Sequence, residues 1–333
     1  MHEVDRSRAL TATDVARAAK VSQSTVSLVL NGKWQGRVRE ETARRVLAAV
    51  DELGYRINES ARNLRLGSSG TVLMVVPTLV NPVFAVIHAG AARVAAEAGL
   101  GVVVFPLSAE DGCDPFSTPR QSLDGVIACS VSAQAVAKLR TGLPLAVLDD
   151  TPLPDTPTVT MDTGGGMAKA LAHLVDLGHR RIMHLRAERS AWTFARRAEA
   201  FDQCVLSHPQ LSPSRLVTPF DLVDVRGRAI AALSAADRPT AVICDDDNMA
   251  MAVLAAAAEL DLTVGEDLSL VGFNDLSTAT VLQPPLTTVR LPLGELGAQG
   301  MQALIELRGG GTPDSVVLPT ELVVRRSTGP APA

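Results

Sequence analysis

Apolar residues recur at helical spacing near the start of the chain and at strand-like density beyond residue 70. In TATDVARAAKVSQSTVSLVLN, residues 11–31, Val15, Ala16 and Ala19 mark one apolar face and Val26, Val29 and Leu30 a second. Thr11 followed by Asp14 has the pattern of a capping box, and Ser22 opens the second run in the same manner. Only Lys20 and Val21 separate the runs, so the predicted helices cross sharply, as in a helix-turn-helix. A third helix is predicted from about Arg39 to Leu53, with Val46, Leu47, Val50 and Leu53 as its buried stripe and Gly54 as a left-handed C-cap. Residues 57–70, INESARNLRLGSSG, read as a turn or two of helix followed by a Gly/Ser hinge. Such a segment is too short to be a stable helix alone.

From Thr71 the pattern changes. Short apolar runs at 71–77, 101–106, 124–130, 144–150, 181–187, 240–247 and 268–275 end in polar or acidic residues. Amphipathic stretches at 82–99, 164–177, 194–207, 223–236 and 248–261 separate most of them. Apolar strands alternating with helices predict parallel sheets covered on both faces, here as two α/β halves facing a cleft. Ligands in such sheets bind at the carboxyl ends of the strands. Asp149, Asp150, Asp245, Asp246, Asp247, Asn274 and Asp275 all fall at those ends. Residues 106–122, broken by two internal prolines, leave no room for a helix between the second and third strands.

The start of the second helix is Gln23, Ser24, Thr25 and Ser27, short hydrogen-bonding side chains on its exposed side. In a helix-turn-helix this is the part placed in the major groove of DNA. Charge supports that end of the chain as the DNA reader. Residues 1–67 hold 12 Lys/Arg against 8 Asp/Glu, while the remainder holds 19 against 28, so a basic head precedes an acidic body.

Composition removes several other classes. A chain of 333 residues, 47% apolar, supports two or three domains with a large core. No apolar run reaches the length of a membrane span, and MHEVDRSRAL has no apolar signal region. The expected location is therefore cytoplasmic, with the nucleoid. Cysteines 113, 129, 204 and 244 form no C-x-x-C pair and the six histidines show no ligand spacing, so neither metal nor cofactor is expected. Glycine runs at 164–166 and 309–311 fit no phosphate-loop pattern, and no Ser/His/Asp set lies in a nucleophile elbow. No enzyme is expected.

Taken in order, DVARAAKVSQSTVSLVLNG, EETARRVLAAVDELGY and ARNL, then NPVF, LDGVI, LGHRRI, GEDLSLVGFND, PPLTTVR and ELVVRRST, the chain resembles the lactose-repressor (LacI/GalR) family of bacterial transcription regulators along essentially its whole length. The resemblance implies an α plus α/β fold. A three-helix helix-turn-helix domain (1–56) and a hinge helix and linker (57–70) precede a periplasmic-binding-protein-like core. That core comprises two doubly wound parallel-sheet subdomains, 71–160 plus 291–318 and 161–290 plus 319–330, with an effector cleft between them. It also implies a repressor that binds palindromic double-stranded operator DNA as a homodimer, or as a tetramer, under control of a carbohydrate effector.

Carried over position by position, Gln23 and Ser24 contact DNA at the head of the recognition helix, beside Leu28. Thr25, Ser27 and Asn31 touch or position phosphates, and Thr11 and Ser22 complete the implied DNA-binding set. Arg62, Asn63 and Leu64 belong to the hinge, with Leu64 as the minor-groove wedge. The implied cleft residues are Val83, Phe84, Asp149, Trp192, Arg197, Asp246, Asn274 and Asp275. Four departures stand out. Lys20 replaces the usual turn glycine, Arg39 the usual serine cap of the third helix, and Ile57 the hinge proline. Leu28 replaces a base-reading basic side chain and offers a methyl contact in its stead. In the cleft, Asp246–Asp247 and Asn274–Asp275 stand where the family has Asn-Asp and Asp-Asp, so carboxylate and amide have exchanged sides. The competing reading is a cytoplasmic solute-binding protein of the same core fold without a gene-regulatory role. It leaves residues 1–66 without a task.

Overall fold

The structure is a computed structural model that describes residues 10–55, 69–107, 123–139, 142–188 and 191–332. The chain divides into two compact units, Met1–Ser69 and Gly70–Ala333.

The first unit contains α1 (Ala12–Ala18), α2 (Gln23–Leu30) and α3 (Glu40–Leu53). Val15, Val26 and Val46 are fully buried where the three meet. The Asp14 carboxylate accepts from the Thr11 amide at 2.9 Å and from its hydroxyl at 2.6 Å, so the first turn is capped by its own sequence. Lys20 adopts φ +54° in the turn, the left-handed conformation that glycine tolerates best. Arg39 makes no side-chain cap to α3, and Gly54 ends that helix at φ +63°. One expectation is corrected here. Leu47 is 45% exposed, and the stripe is built from Ala43, Val46 and Ala49 with Val50 and Leu53 partly buried. At 100° per residue the face centred on Val46 takes positions three before and three after it, which leaves Leu47 to solvent. The hinge residues Arg62, Asn63 and Leu64 lie outside the described residues.

The second unit holds two six-stranded sheets. The first is made of β1 (Thr71–Val76), β2 (Gly101–Pro106), β3 (Gly125–Cys129), β4 (Leu145–Leu148), β5 (Thr158–Met161) and β11 (Val316–Leu318). Its strands are parallel, in the order β11-β5-β4-β3-β1-β2, with Val72 opposite Val102 on one side and Gly125 on the other. The second is made of β6 (Arg181–Ala187), β7 (Ser212–Thr218), β8 (Ala241–Cys244), β9 (Ser269–Asn274), β10 (Thr287–Arg290) and β12 (Glu321–Val323). Its order is β12-β10-β9-β8-β6-β7, with only β12 antiparallel. The seven expected apolar runs are β1, β2, β3, β4, β6, β8 and β9. The remaining five strands escape apolar periodicity because β11 and β12 are short, β5 and β10 are rich in threonine, and β7 (SPSRLVT) is largely polar and exposed. The fold buries Thr158, Thr160, Thr287 and Thr288 nonetheless.

The covering helices are α4 (Val83–Glu97), α5 (Ala133–Leu139), α6 (Thr163–Asp176), α7 (Trp192–Leu206), α8 (Leu222–Leu233), α9 (Asp247–Glu259), α10 (Ser277–Val281) and α11 (Leu293–Arg308). α4 packs on α11 at backbone contact distance: a methyl on Gly90 would overlap the Gly294 carbonyl, and one on Gly297 the Ile87 carbonyl. The chain passes between the sheets at 161–163, at 290–293 and at 318–321. The first and last passages are joined, with the Asp162 amide donating to the Leu318 carbonyl (2.9 Å) and the Thr320 hydroxyl to the Asp162 carbonyl (2.9 Å). The carboxyl ends of β4, β8 and β9 carry the acidic residues picked out above.

Candidate functional site

Each unit carries one candidate site. In the first, Val26 and Val29 anchor α2 in the three-helix core, and this turns Gln23, Ser24 and Ser27 to solvent with Thr25 and Leu28 half-buried beside them. The Ser22 hydroxyl accepts from the Thr25 amide (3.2 Å) and lies 2.7 Å from the Ser24 hydroxyl and 2.8 Å from that of Thr25. Asn31 closes the helix, its Nδ2 donating to the Ser27 carbonyl at 2.7 Å. α2 therefore presents an uncharged face of hydroxyls, an amide and a leucine, with no acidic residue in its first turn. A helix start of this kind offers free backbone N–H groups and positive dipole to a phosphate, and hydroxyls to base edges.

The second site lies between the two sheets. Asp149 follows β4 at φ +50° and is 6% exposed. Its Oδ2 accepts from the Ser130 hydroxyl (3.2 Å), while Oδ1 has no hydrogen bond among the described residues. Burial pushes its carboxyl up to about 6, against the pull of the Arg197 charge from the opposite half and of the Ser130 hydroxyl. Arg197, on α7, is itself 3% exposed. It donates from Nη1 to the Asp245 carbonyl and from Nη2 to the Thr193 hydroxyl (3.3 Å), and its Nε has no hydrogen bond among the described residues. The guanidinium lies 4.3 Å from the ring centre of Phe273 and 5.2 Å from that of Phe194. Those rings hold it in place by cation–π attraction.

Three consecutive carboxylates follow β8, each with different partners. Asp245 meets His184 Nε2 at 3.0 Å and the Ala187 amide at 3.0 Å, both fully inside the second half. Burial alone would raise its carboxyl, but His184 and Arg197 bring it below the ordinary range. Asp246 caps α9 and accepts from Asn81, Asn248 and Asn274. Asp247 accepts from the Thr288 hydroxyl (2.6 Å) and the Leu276 amide (2.8 Å), and burial pushes it up to about 7.

Of the expected cleft residues, Asp149, Arg197, Asp246 and Asn274 come together. Trp192 is half-buried at the first position of α7. Val83 and Phe84 begin α4, where Phe84 joins the core of the first half and lines a cavity of about 200 Å³ with Leu79, His88 and Val104. Asp275 is committed elsewhere: Oδ2 accepts from Arg290 (2.8 Å) and Oδ1 from Arg325 (2.6 Å), an ion cluster that ties β9 to β10. Asn81, Ser130, Thr193, Phe273 and His184, the partner of Asp245, are not singled out by the sequence. Asn81 had a signal in its position directly before Pro82 at a helix start. The others are brought to the site only by folding.

Comparison with known proteins gives the family of both units. Residues 11–58 match the family described as bacterial regulatory proteins, lacI family, and residues 171–328 the periplasmic binding protein-like domain. The HTH-type transcriptional regulator MalR of Streptomyces coelicolor is 34% identical over 339 residues, spanning 96% of each chain. The HTH-type transcriptional repressor PurR of Mannheimia succiniciproducens is 30% identical, spanning 95% of this chain and 98% of its own. Among solved structures, the lac repressor dimer bound to operator and the anti-inducer ONPF superposes with a TM-score of 0.84 at 26% identity, covering 97% of this chain and 100% of that one. The complex of the transcriptional regulator CelR with cellobiose gives 0.69 at 25% identity, covering 96% and 99%. Helix-turn-helix unit, two-sheet core and relatives of matching length lead to one conclusion: the chain belongs to the LacI family of bacterial transcriptional regulators.

Proposed function

We propose that this regulator is a homodimeric repressor that binds a palindromic operator through α2 and the hinge and is controlled by a carbohydrate in the core cleft. Gln23, Ser24 and Leu28 read base edges, while Thr11, Ser22, Thr25, Ser27 and Asn31 set the helix against phosphates. Arg62 and Asn63 precede Leu64, whose side chain wedges into the minor groove and bends the duplex. In the cleft, Asp149, Arg197 and Asn274 bond ligand hydroxyls, with Val83, Phe84 and Trp192 as apolar flanks and Asp246 and Asp275 as the frame. The protein works in the cytoplasm at the nucleoid, as a dimer or as a tetramer made of two such dimers.

The observation that carries this reading is the pair of unfilled polar atoms, Asp149 Oδ1 and Arg197 Nε, on opposite sides of one cleft. A hydroxyl can donate to the first and accept from the second. The operator-bound lac repressor dimer and the cellobiose complex of CelR support the two halves of the assignment. The test is selection of genomic fragments on the purified full chain, followed by competition with a panel of mono- and disaccharides. Enrichment of a palindromic site, its loss in Leu64→Ala and a change in its occupancy with one sugar are expected. Absence of any sequence-specific fragment overturns the reading.

A further inference from the structure

Asp246 carries a complete set of donors, and one of them comes from the other half of the core. Its Oδ1 accepts from the backbone amide and the Nδ2 of Asn248, both at 2.7 Å. Its Oδ2 accepts from Asn274 Nδ2 at 2.8 Å and from Asn81 Nδ2 at 3.0 Å. A carboxylate offers about four lone-pair positions, so none is left for a ligand hydroxyl. Asn248 and Asn274 belong to the second half, with Asp246 itself. Asn81 precedes α4 in the first half, and its own Oδ1 is fixed by accepting from the Val83 amide at 3.1 Å. The carboxylate is 2% exposed and Asn81 is half-buried, so the acceptor's side of the bond across the cleft is shielded from water. There a charged acceptor binds its donors more strongly, and a lost partner is not replaced.

We propose that Asn81 and Asp246 form a latch across the cleft, which sets how far the two halves of the core stand apart, and that Asp246 acts by this positioning and not by contact with effector. The exchange of carboxylate and amide in this chain is what permits it. With aspartate at 246, a single group gathers the donors of Asn81 and Asn274 while capping α9. An amide there has one oxygen, which the cap takes, and turns a donor toward two other donors. Ligands small enough to let the latch form add their own bridge to a closed core, and ligands that wedge it apart hold the core open. One cleft then answers to ligand size. That consequence rests on the effector reading above; the latch does not.

The test is a distance measurement on the full chain with Cys113 and Cys204 replaced by serine. Spin labels are placed at Gln134 and Glu188, exposed positions beyond the ends of β3 and β6 in opposite halves. Asn81→Asp sets two carboxylates face to face and is expected to shift the distance distribution to longer values. Adding Asp246→Asn reverses the polarity of the pair and is expected to return the distribution to that of the parent. Both variants keep an acceptor for the Val83 amide and for the start of α9. An Asn81→Asp distribution equal to the parent's, or a double variant no closer to the parent than Asn81→Asp, overturns the latch. Neither result needs DNA or effector, so failure to find an operator would count against the functional reading and leave this one standing.

Discussion

Single residues in this chain hold conformations and charges that their neighbours must impose. Lys20 occupies the left-handed region at φ +54°, where a side chain costs about 1 kcal/mol over glycine. Lys20→Gly is expected to slow amide exchange in the three-helix unit of the full chain about fivefold, the equivalent of that energy. Unchanged protection would mean that the turn is unstrained. Asp149 makes the opposite case, a charge in a costly place. Its carboxyl titrates near 6 in the folded chain because it is buried, against an ordinary value of 3.8. The folded state thus holds this proton more tightly than the unfolded one. The stability it contributes is fully present below about pH 4 and is lost as pH rises through about 6, by at most about 3 kcal/mol. Asp149→Asn carries no such proton, so its melting temperature should gain on the parent's between pH 4 and pH 7. A difference independent of pH would contradict this origin of the shift.

At the scale of elements, the sequence was most legible where apolar periodicity was strong. All seven apolar runs became strands, and the five amphipathic stretches became helices within about two residues at most ends. Leu47 shows how the same reasoning slips, since a helix face is set by the partner it packs on and not by apolarity alone. The threonine strands show the other limit. Thr287 and Thr288 can lie in the middle of a sheet only because Ser327, Thr328 and Asp247 satisfy them there. Helix contacts depend on features that look weak in sequence. Gly90 and Gly297 lower helix propensity, yet they let α4 and α11 touch backbone to backbone. Gly297→Ala is expected to destabilise the core by about 2 kcal/mol, read as a lower urea midpoint, because a methyl there meets a carbonyl that cannot move away. A neutral or stabilising effect would show that the two helices are free to part.

For the molecule as a whole, two compact units divide the work of reading DNA and binding a ligand. Gly70–Ala333 alone should keep the thermal shift that a bound sugar confers on the full chain, through mass action, and should lose all retardation of operator DNA. Loss of the ligand response on truncation would place part of the cleft in the first unit. The sequence by itself determined the order of elements, the helix-turn-helix with its uncharged reading face, the pair of α/β halves and the acidic strand ends, because each of these is written in short-range periodicity and capping. Only the tertiary structure decided what each acidic residue does. Asp149 is left with an unfilled oxygen, Asp245 is matched to His184, Asp246 is filled by three asparagines and Asp275 is taken by two arginines. Those partners stand up to 165 positions away along the chain. A carboxylate's role follows from which donors reach it, and that is settled by how the sheets and their crossings bring distant residues together.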